Sequence, residues 1–144
     1  MIAEKMLLNC QRPYRHALDR LRASGLRPTR QRLALAKLLF DGCDRHVTAE
    51  TLHSEAIGAN IRVSLATVYN ALHQFTEAGL LREIVVDAGS SYFDTNIADH
   101  HHFFHERTGL LADIPGADVV VTQLPPPPAG TTIRRVDVIV RIDG

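Results

Sequence analysis

Leu81-Arg82-Glu83-Ile84-Val85-Val86, the link Asp87-Ala88-Gly89-Ser90 and then Ser91-Tyr92-Phe93-Asp94-Thr95 form the stretch on which the fold turns. Two β-rich runs parted by Asp, Gly and Ser read as a hairpin. The segments upstream read as helix. Ala17, Leu18 and Leu21 share one face of a first helix that Gly25 stops. Pro28 suits the opening turn of a second, with Leu33, Leu35, Ala36, Leu38 and Leu39 as its core and Gly42 as its end. Thr48 is the expected N-cap of a third helix, and Ser64 that of a fourth running through Leu65, Val68, Leu72 and Phe75 to Gly79. Short helices followed by a two-stranded ribbon predict a winged helix-turn-helix, whose last helix enters the DNA major groove.

Downstream the pattern is extended. Val119-Val120-Val121 is β-branched, and Val136, Val138, Val140 and Ile142 alternate within Ile133 to Ile142, which predicts a half-buried strand. Pro125 to Pro128 read as a stiff polyproline connector. So few strands are marginal alone in water, so pairing with a second copy is expected. The expected class is α+β: a winged helix-turn-helix domain over residues 1–95, then a small α/β or mostly β dimerisation domain over 96–144.

Charge supports that division. Net charge is zero, yet residues 1–80 hold 11 Lys and Arg against 7 Asp and Glu, while residues 81–144 hold 5 against 9. A basic lobe suits a polyanion and an acidic, His-rich lobe suits a cation. Within the basic lobe, Arg27-Pro28-Thr29-Arg30-Gln31-Arg32 gathers guanidinium groups at a helix start, where phosphates bind. In Val63-Ser64-Leu65-Ala66-Thr67-Val68-Tyr69-Asn70, core-facing Leu65 and Val68 leave Ser64, Thr67, Tyr69 and Asn70 outside. His73, one turn further on, faces the same way. Short polar and aromatic side chains of this kind suit base readout.

Four of the eight histidines fall in His100-His101-His102-Phe103-Phe104-His105. Neutral imidazole ligates borderline transition metals and haem iron. On a strand His100 and His102 share one face, with Asp99 and His101 opposite. His16, His53 and His73 read as solvated helix-surface rings. Cys10 and Cys43, two only and far apart, make neither a CxxC motif nor a disulfide framework. The start Met1-Ile2-Ala3-Glu4-Lys5 lacks a secretory pattern and no apolar run is long enough to span a bilayer, so a cytoplasmic, membrane-free protein is expected.

Taken in order, Gly25-Leu26-Arg27-Pro28-Thr29-Arg30-Gln31-Arg32, His46-Val47-Thr48-Ala49-Glu50, Ser64-Leu65-Ala66-Thr67-Val68-Tyr69-Asn70 and the His run resemble the ferric uptake regulator family over about residues 15–114. Within it, Tyr92-Phe93-Asp94-Thr95-Asn96, the unbroken His100 to Phe104 and the Arg135 to Arg141 ending look most like the haem-responsive iron response regulators of alphaproteobacteria. The resemblance implies a homodimeric repressor that binds a double-stranded, AT-rich operator and serves iron homeostasis. It places a minor-groove contact on Arg27, a phosphate contact on Arg32 and the recognition pair on Tyr69 and Asn70, with Thr29, Arg30, Ser64 and Thr67 beside them. The second member of that pair is uncharged here, which alters base preference relative to the uptake regulators proper.

For sensing, the resemblance adds His46, Asp94 and Asp113 to His100 and His102. This nitrogen and oxygen set suits Fe(II), Mn(II) or Zn(II) and lacks soft sulfur. It implies haem on His100, His101 and His102, with Phe103 and Phe104 against the porphyrin. His105 and Thr108 stand where many members carry zinc-binding cysteines, so a Cys-based zinc staple is ruled out. The family's peroxide sensors and metal-uptake regulators are the alternatives. An enzyme is disfavoured, because HExxH, nucleophile-elbow and Gly-rich phosphate-loop motifs are all missing from the sequence.

Overall fold

The computed structural model describes residues 14–87 and 89–144. Cys10, the opening Met1 to Lys5 and Ala88 of the hairpin link lie outside them. The described residues divide into two compact units, the first ending at Ile97 and the second spanning Ala98–Gly144.

In the first unit the order is α1 (Tyr14–Ala23), α2 (Arg30–Phe40), β1 (His46–Val47), α3 (Ala49–Gly58), α4 (Leu65–Glu77), β2 (Arg82–Asp87) and β3 (Ser90–Asp94). Side-chain caps set the helix starts. Thr29 Oγ1 accepts from the Arg32 amide at 3.3 Å, Thr48 from Thr51 at 3.1 Å and Ser64 from Thr67 at 3.1 Å, each meeting an otherwise orphan donor. The cap at Thr29 corrects the expectation for Pro28, which precedes the cap instead of opening the helix. Gly25 (φ +82°) and Gly79 (φ +79°) take the left-handed backbone that ends α1 and α4.

The helices close over Leu35, Leu39, Phe40, Leu52, Val68, Leu72 and Phe75, all fully buried. Phe93, from the antiparallel sheet ordered β1-β3-β2, joins that core. Leu65 does not. It is 36% exposed in the first turn of α4, before the buried stripe of Val68, Ala71, Leu72 and Phe75 begins. The hairpin of β2 and β3 is the wing, with a register shift between Val85 and Asp87.

The second unit holds β4 (His100–His105), β5 (Leu111–Pro115), a 3₁₀ turn at Gly116–Asp118 and β6 (Ile139–Ile142), in sheet order β5-β4-β6. The alternation over Ile133 to Ile142 overstates the strand. Pairing runs only from His102 opposite Ile139 to His105 opposite Ile142; just ahead of it the Val138 amide donates to the His101 ring instead of to a strand carbonyl. Val119 to Val121 forms no strand; Val120 is 75% exposed. Cβ-branching favours extended backbone but does not supply a partner edge.

Cys43 is disulfide-bonded and not a free thiol. This corrects the expectation drawn from sequence separation. Loop-closure entropy grows only slowly with length, so a long interval does not forbid a bridge.

Gly116 makes a close backbone approach: a Cβ there would sit 2.7 Å from the Asp99 carbonyl oxygen. Gly116→Ala should therefore destabilise the chain by about 1–3 kcal/mol, as overpacking does. Thermal unfolding checks this, and an unchanged melting temperature would show that the β5 end yields without cost.

Candidate metal centre and nucleic-acid interface

Each unit assembles its own group of potential metal ligands through strand pairing. In the first, His46 on β1 is registered opposite Asp94 on β3. Cross-strand partners project to the same face. His46 Nε2 thus lies 3.1 Å from Asp94 Oδ2. Asp94 is 1% exposed and also accepts from the Asn96 amide at 2.9 Å.

In the second unit, β4 alternates as expected. His100, His102 and Phe104 are buried, while His101 and Phe103 lie on the more open face. His102 is registered opposite Asp113 on β5. His100 Nε2 and His102 Nε2 each lie 3.3 Å from Asp113 Oδ1, and their ring centroids are 4.5 Å apart. The ligand atoms of these three residues fall within 4.8 Å of one another.

The proton count there shows what the trio wants. His100 Nδ1 is hydrogen-bonded to the Ala98 carbonyl, so that nitrogen carries the hydrogen. Its Nε2 in the neutral ring is then a lone pair facing a carboxylate oxygen. Two acceptors at 3.3 Å attract only with a proton or a cation between them. Two buried imidazoles whose Nε2 atoms face one carboxylate oxygen fit a nitrogen- and oxygen-binding divalent ion. The Ala98 carbonyl supplies the outer hydrogen bond that fixes a ligand ring's tautomer.

His101 is held differently. The Val138 amide donates to its Nδ1 at 3.1 Å, which leaves the hydrogen of the neutral ring on Nε2. Phe104 is 7% exposed and Phe103 38%.

On the basic side, Arg27, Thr29 and Arg30 are exposed around the start of α2. Arg32 is committed elsewhere. Its Nε and Nη2 donate to Gln74 Oε1 at 3.2 and 2.9 Å, and Nη1 donates to the Arg27 carbonyl at 3.1 Å, tying α2 to α4. Ser64 Oγ and Thr67 Oγ1 lie 2.9 Å apart within the cap of α4. Asn70 is fully on the outer face and Tyr69 is half-buried, stacked on His73 at 6.4 Å.

Sequence reasoning missed four residues. Gln74 receives Arg32. Arg62, two residues before the cap Ser64, lines a cleft of 510 Å³ with Arg30 and Gln31. Its basic charge beside a predicted recognition helix was the available signal. His53 is not simply solvated: its Nε2 lies 3.0 Å from the Val63 carbonyl and pins α3 to the approach of α4. Glu50 accepts the Tyr69 hydroxyl hydrogen at 2.6 Å, and nothing in a separation of 19 residues announces that pair. The bond from Tyr69 holds the Glu50 carboxyl below the usual carboxylate range. The bond to Glu50 pushes the Tyr69 phenol up.

Among the described residues, no helix is long and apolar enough to cross a membrane. The profile of the ferric uptake regulator family matches residues 23–124. The peroxide operon regulator of Bacillus subtilis (strain 168) is 37% identical over 108 residues, 74% of this chain and 74% of that protein. The ferric uptake regulation protein of Bordetella parapertussis is 33% identical over 100 residues, 69% and 72% of the two chains. Among solved structures, a ferric uptake regulator from Pseudomonas aeruginosa with manganese aligns with a TM-score of 0.68 at 25% identity, covering 89% of this chain and 97% of that one.

Proposed function

The chain belongs to the ferric uptake regulator family, and on that premise we propose that it is a dimeric, iron-responsive repressor whose hold on DNA is set by a divalent ion. The ion would be held by His46, Asp94, His100, His102 and Asp113. The observation that carries this reading is the buried pair of imidazoles sharing one carboxylate oxygen, with the tautomer of His100 fixed from behind. Neither group of ligands suffices alone. One imidazole and one carboxylate, or two imidazoles and one carboxylate, leave a five- or six-coordinate ion short, whereas the five together make the nitrogen and oxygen set that suits Fe(II), Mn(II) or Zn(II). When bound, the ion supplies a coordination tie among these ligands. The chain's own residues do the rest: Arg27, Arg30 and Arg62 meet phosphates, while Tyr69 and Asn70 read bases.

A homodimer is part of the proposal. Leu110, Val120, Val121, Leu124, Ile133 and Val140 are exposed in the second unit, whose buried apolar residues among those described are Phe104 and Ile114. A lobe with so little interior gains stability from a second copy. Its place of work would be the cytoplasm, where its operator lies.

Haem, and with it an iron response regulator identity, has less support. His100 and His102 face inward, and His101 would have to release the Val138 amide or give up its Nε2 hydrogen before it could ligate through that atom. A peroxide-sensing reading draws on the Bacillus subtilis relative and on buried Asp94. It predicts that His46 or His100 gains an oxygen atom in the Fe(II) protein exposed to peroxide, seen by mass spectrometry.

Gel mobility shifts test the main reading. Metal-free, Mn(II)-loaded and haem-loaded protein are compared on one duplex enriched from a random-sequence pool. We expect binding to differ between metal-free and Mn(II)-loaded protein; identical shifts in those two lanes would overturn it.

A further inference from the structure

Tyr69 and Glu50 meet at the edge of a cleft of 510 Å³ between α4 and the wing, lined also by Thr48, Ser90, Ser91 and Tyr92. Among the described residues of that lining, Glu50 alone carries a formal charge. It lies in the first turn of α3 and is exposed, so no packing need explains its contact with Tyr69. The phenol has a single hydrogen, and the carboxylate takes it at 2.6 Å.

We propose that Glu50 is a specificity-determining residue: it holds the Tyr69 hydroxyl hydrogen, so Tyr69 reads base-edge amines and not base-edge acceptors, while its charge weakens binding to DNA of any sequence. This rests on the reading that α4 enters the major groove. A tyrosine with a free hydroxyl can donate to guanine O6, thymine O4 or a purine N7, and can equally accept from adenine N6 or cytosine N4. Clamped from behind, its oxygen offers lone pairs alone, and only the two amines remain as partners. The ring face stays available to a thymine methyl. The carboxylate also repels phosphates whatever the sequence, a penalty that a matched site offsets and a mismatched one does not.

Two substitutions separate the two effects. Glu50→Gln keeps an acceptor for the hydroxyl and removes the charge; Glu50→Ala removes both. Each, with Tyr69→Phe and wild type, is used as full-length Mn(II)-loaded protein to select from a random-sequence duplex pool. Thermal melts check folding. We expect wild type to enrich adenine or cytosine at the positions that Tyr69→Phe relaxes. Glu50→Ala should relax those same positions and admit guanine or thymine there. Glu50→Gln should keep the wild-type motif and bind unselected duplex about fivefold tighter, the scale of one exposed charge at close range.

A wild-type motif retained by Glu50→Ala overturns the proposal, as does a loss spread evenly over all positions or a motif unchanged in Tyr69→Phe. Should Glu50→Ala melt early, Glu50→Gln decides: no gain on unselected duplex overturns it. Failure of wild type to enrich any motif overturns the DNA-reading premise itself.

Discussion

Replacing His102 with alanine will lower Mn(II) affinity by more than about 100-fold, above the range seen when a ligand's outer hydrogen bond is lost. Metal-free protein carrying the change will bind duplex DNA as wild type does. His102 is 3% exposed, its Nε2 lies 3.3 Å from Asp113 Oδ1, and the register of β4 on β5 pairs the two residues directly. Removing the ring leaves His100 and Asp113 as the second unit's only members of the set. His101 cannot take its place, because successive strand residues face opposite ways and its Nδ1 is bonded to Val138. Titration calorimetry checks the metal arm and fluorescence anisotropy the DNA arm. Unchanged Mn(II) affinity would remove β4 from the metal site.

Tyr69→Ala will weaken binding to the selected duplex by about 1–3 kcal/mol, the worth of one good base contact, or roughly 5- to 150-fold. Unselected duplex will be bound within about twofold of wild type, since phosphate contacts supply most non-specific affinity. The phenol ring is half-buried on His73 with its hydroxyl at the surface, so truncation costs little folding energy. Equal losses on both duplexes would show that Tyr69 supports the helix and does not read sequence.

Much of this was legible in the sequence because it is local. Caps at Thr48 and Ser64, glycine stops at Gly25 and Gly79, and the alternation of His100 and His102 each depend on a few neighbouring residues. His46, Asp94 and Asp113 entered the candidate set only through the resemblance, since the strand register that sets His46 against Asp94 and His102 against Asp113 is not encoded by composition. What escaped is what tertiary pairing decides. Nothing local says that β6 shrinks to Ile139–Ile142, with the Val138 amide ahead of it turned to the His101 ring. Nor does it say that Arg32 is taken up by Gln74 or that Glu50 clamps Tyr69. Arg32 shows the risk of reading a role from residue type alone: a guanidinium expected on phosphate is braced between two helices in the free chain.

Ion and DNA are coupled in the proposed function, and coupling is reciprocal: if the ion alters DNA affinity, DNA must alter ion affinity by the same factor. The direct measurement is the Mn(II) dissociation constant of the full-length protein with and without saturating selected duplex, repeated for His46→Ala. We expect a difference of about tenfold or more in wild type, within the usual range for such couplings, and its disappearance in His46→Ala. The same Mn(II) constant with and without duplex in the wild-type protein would contradict it.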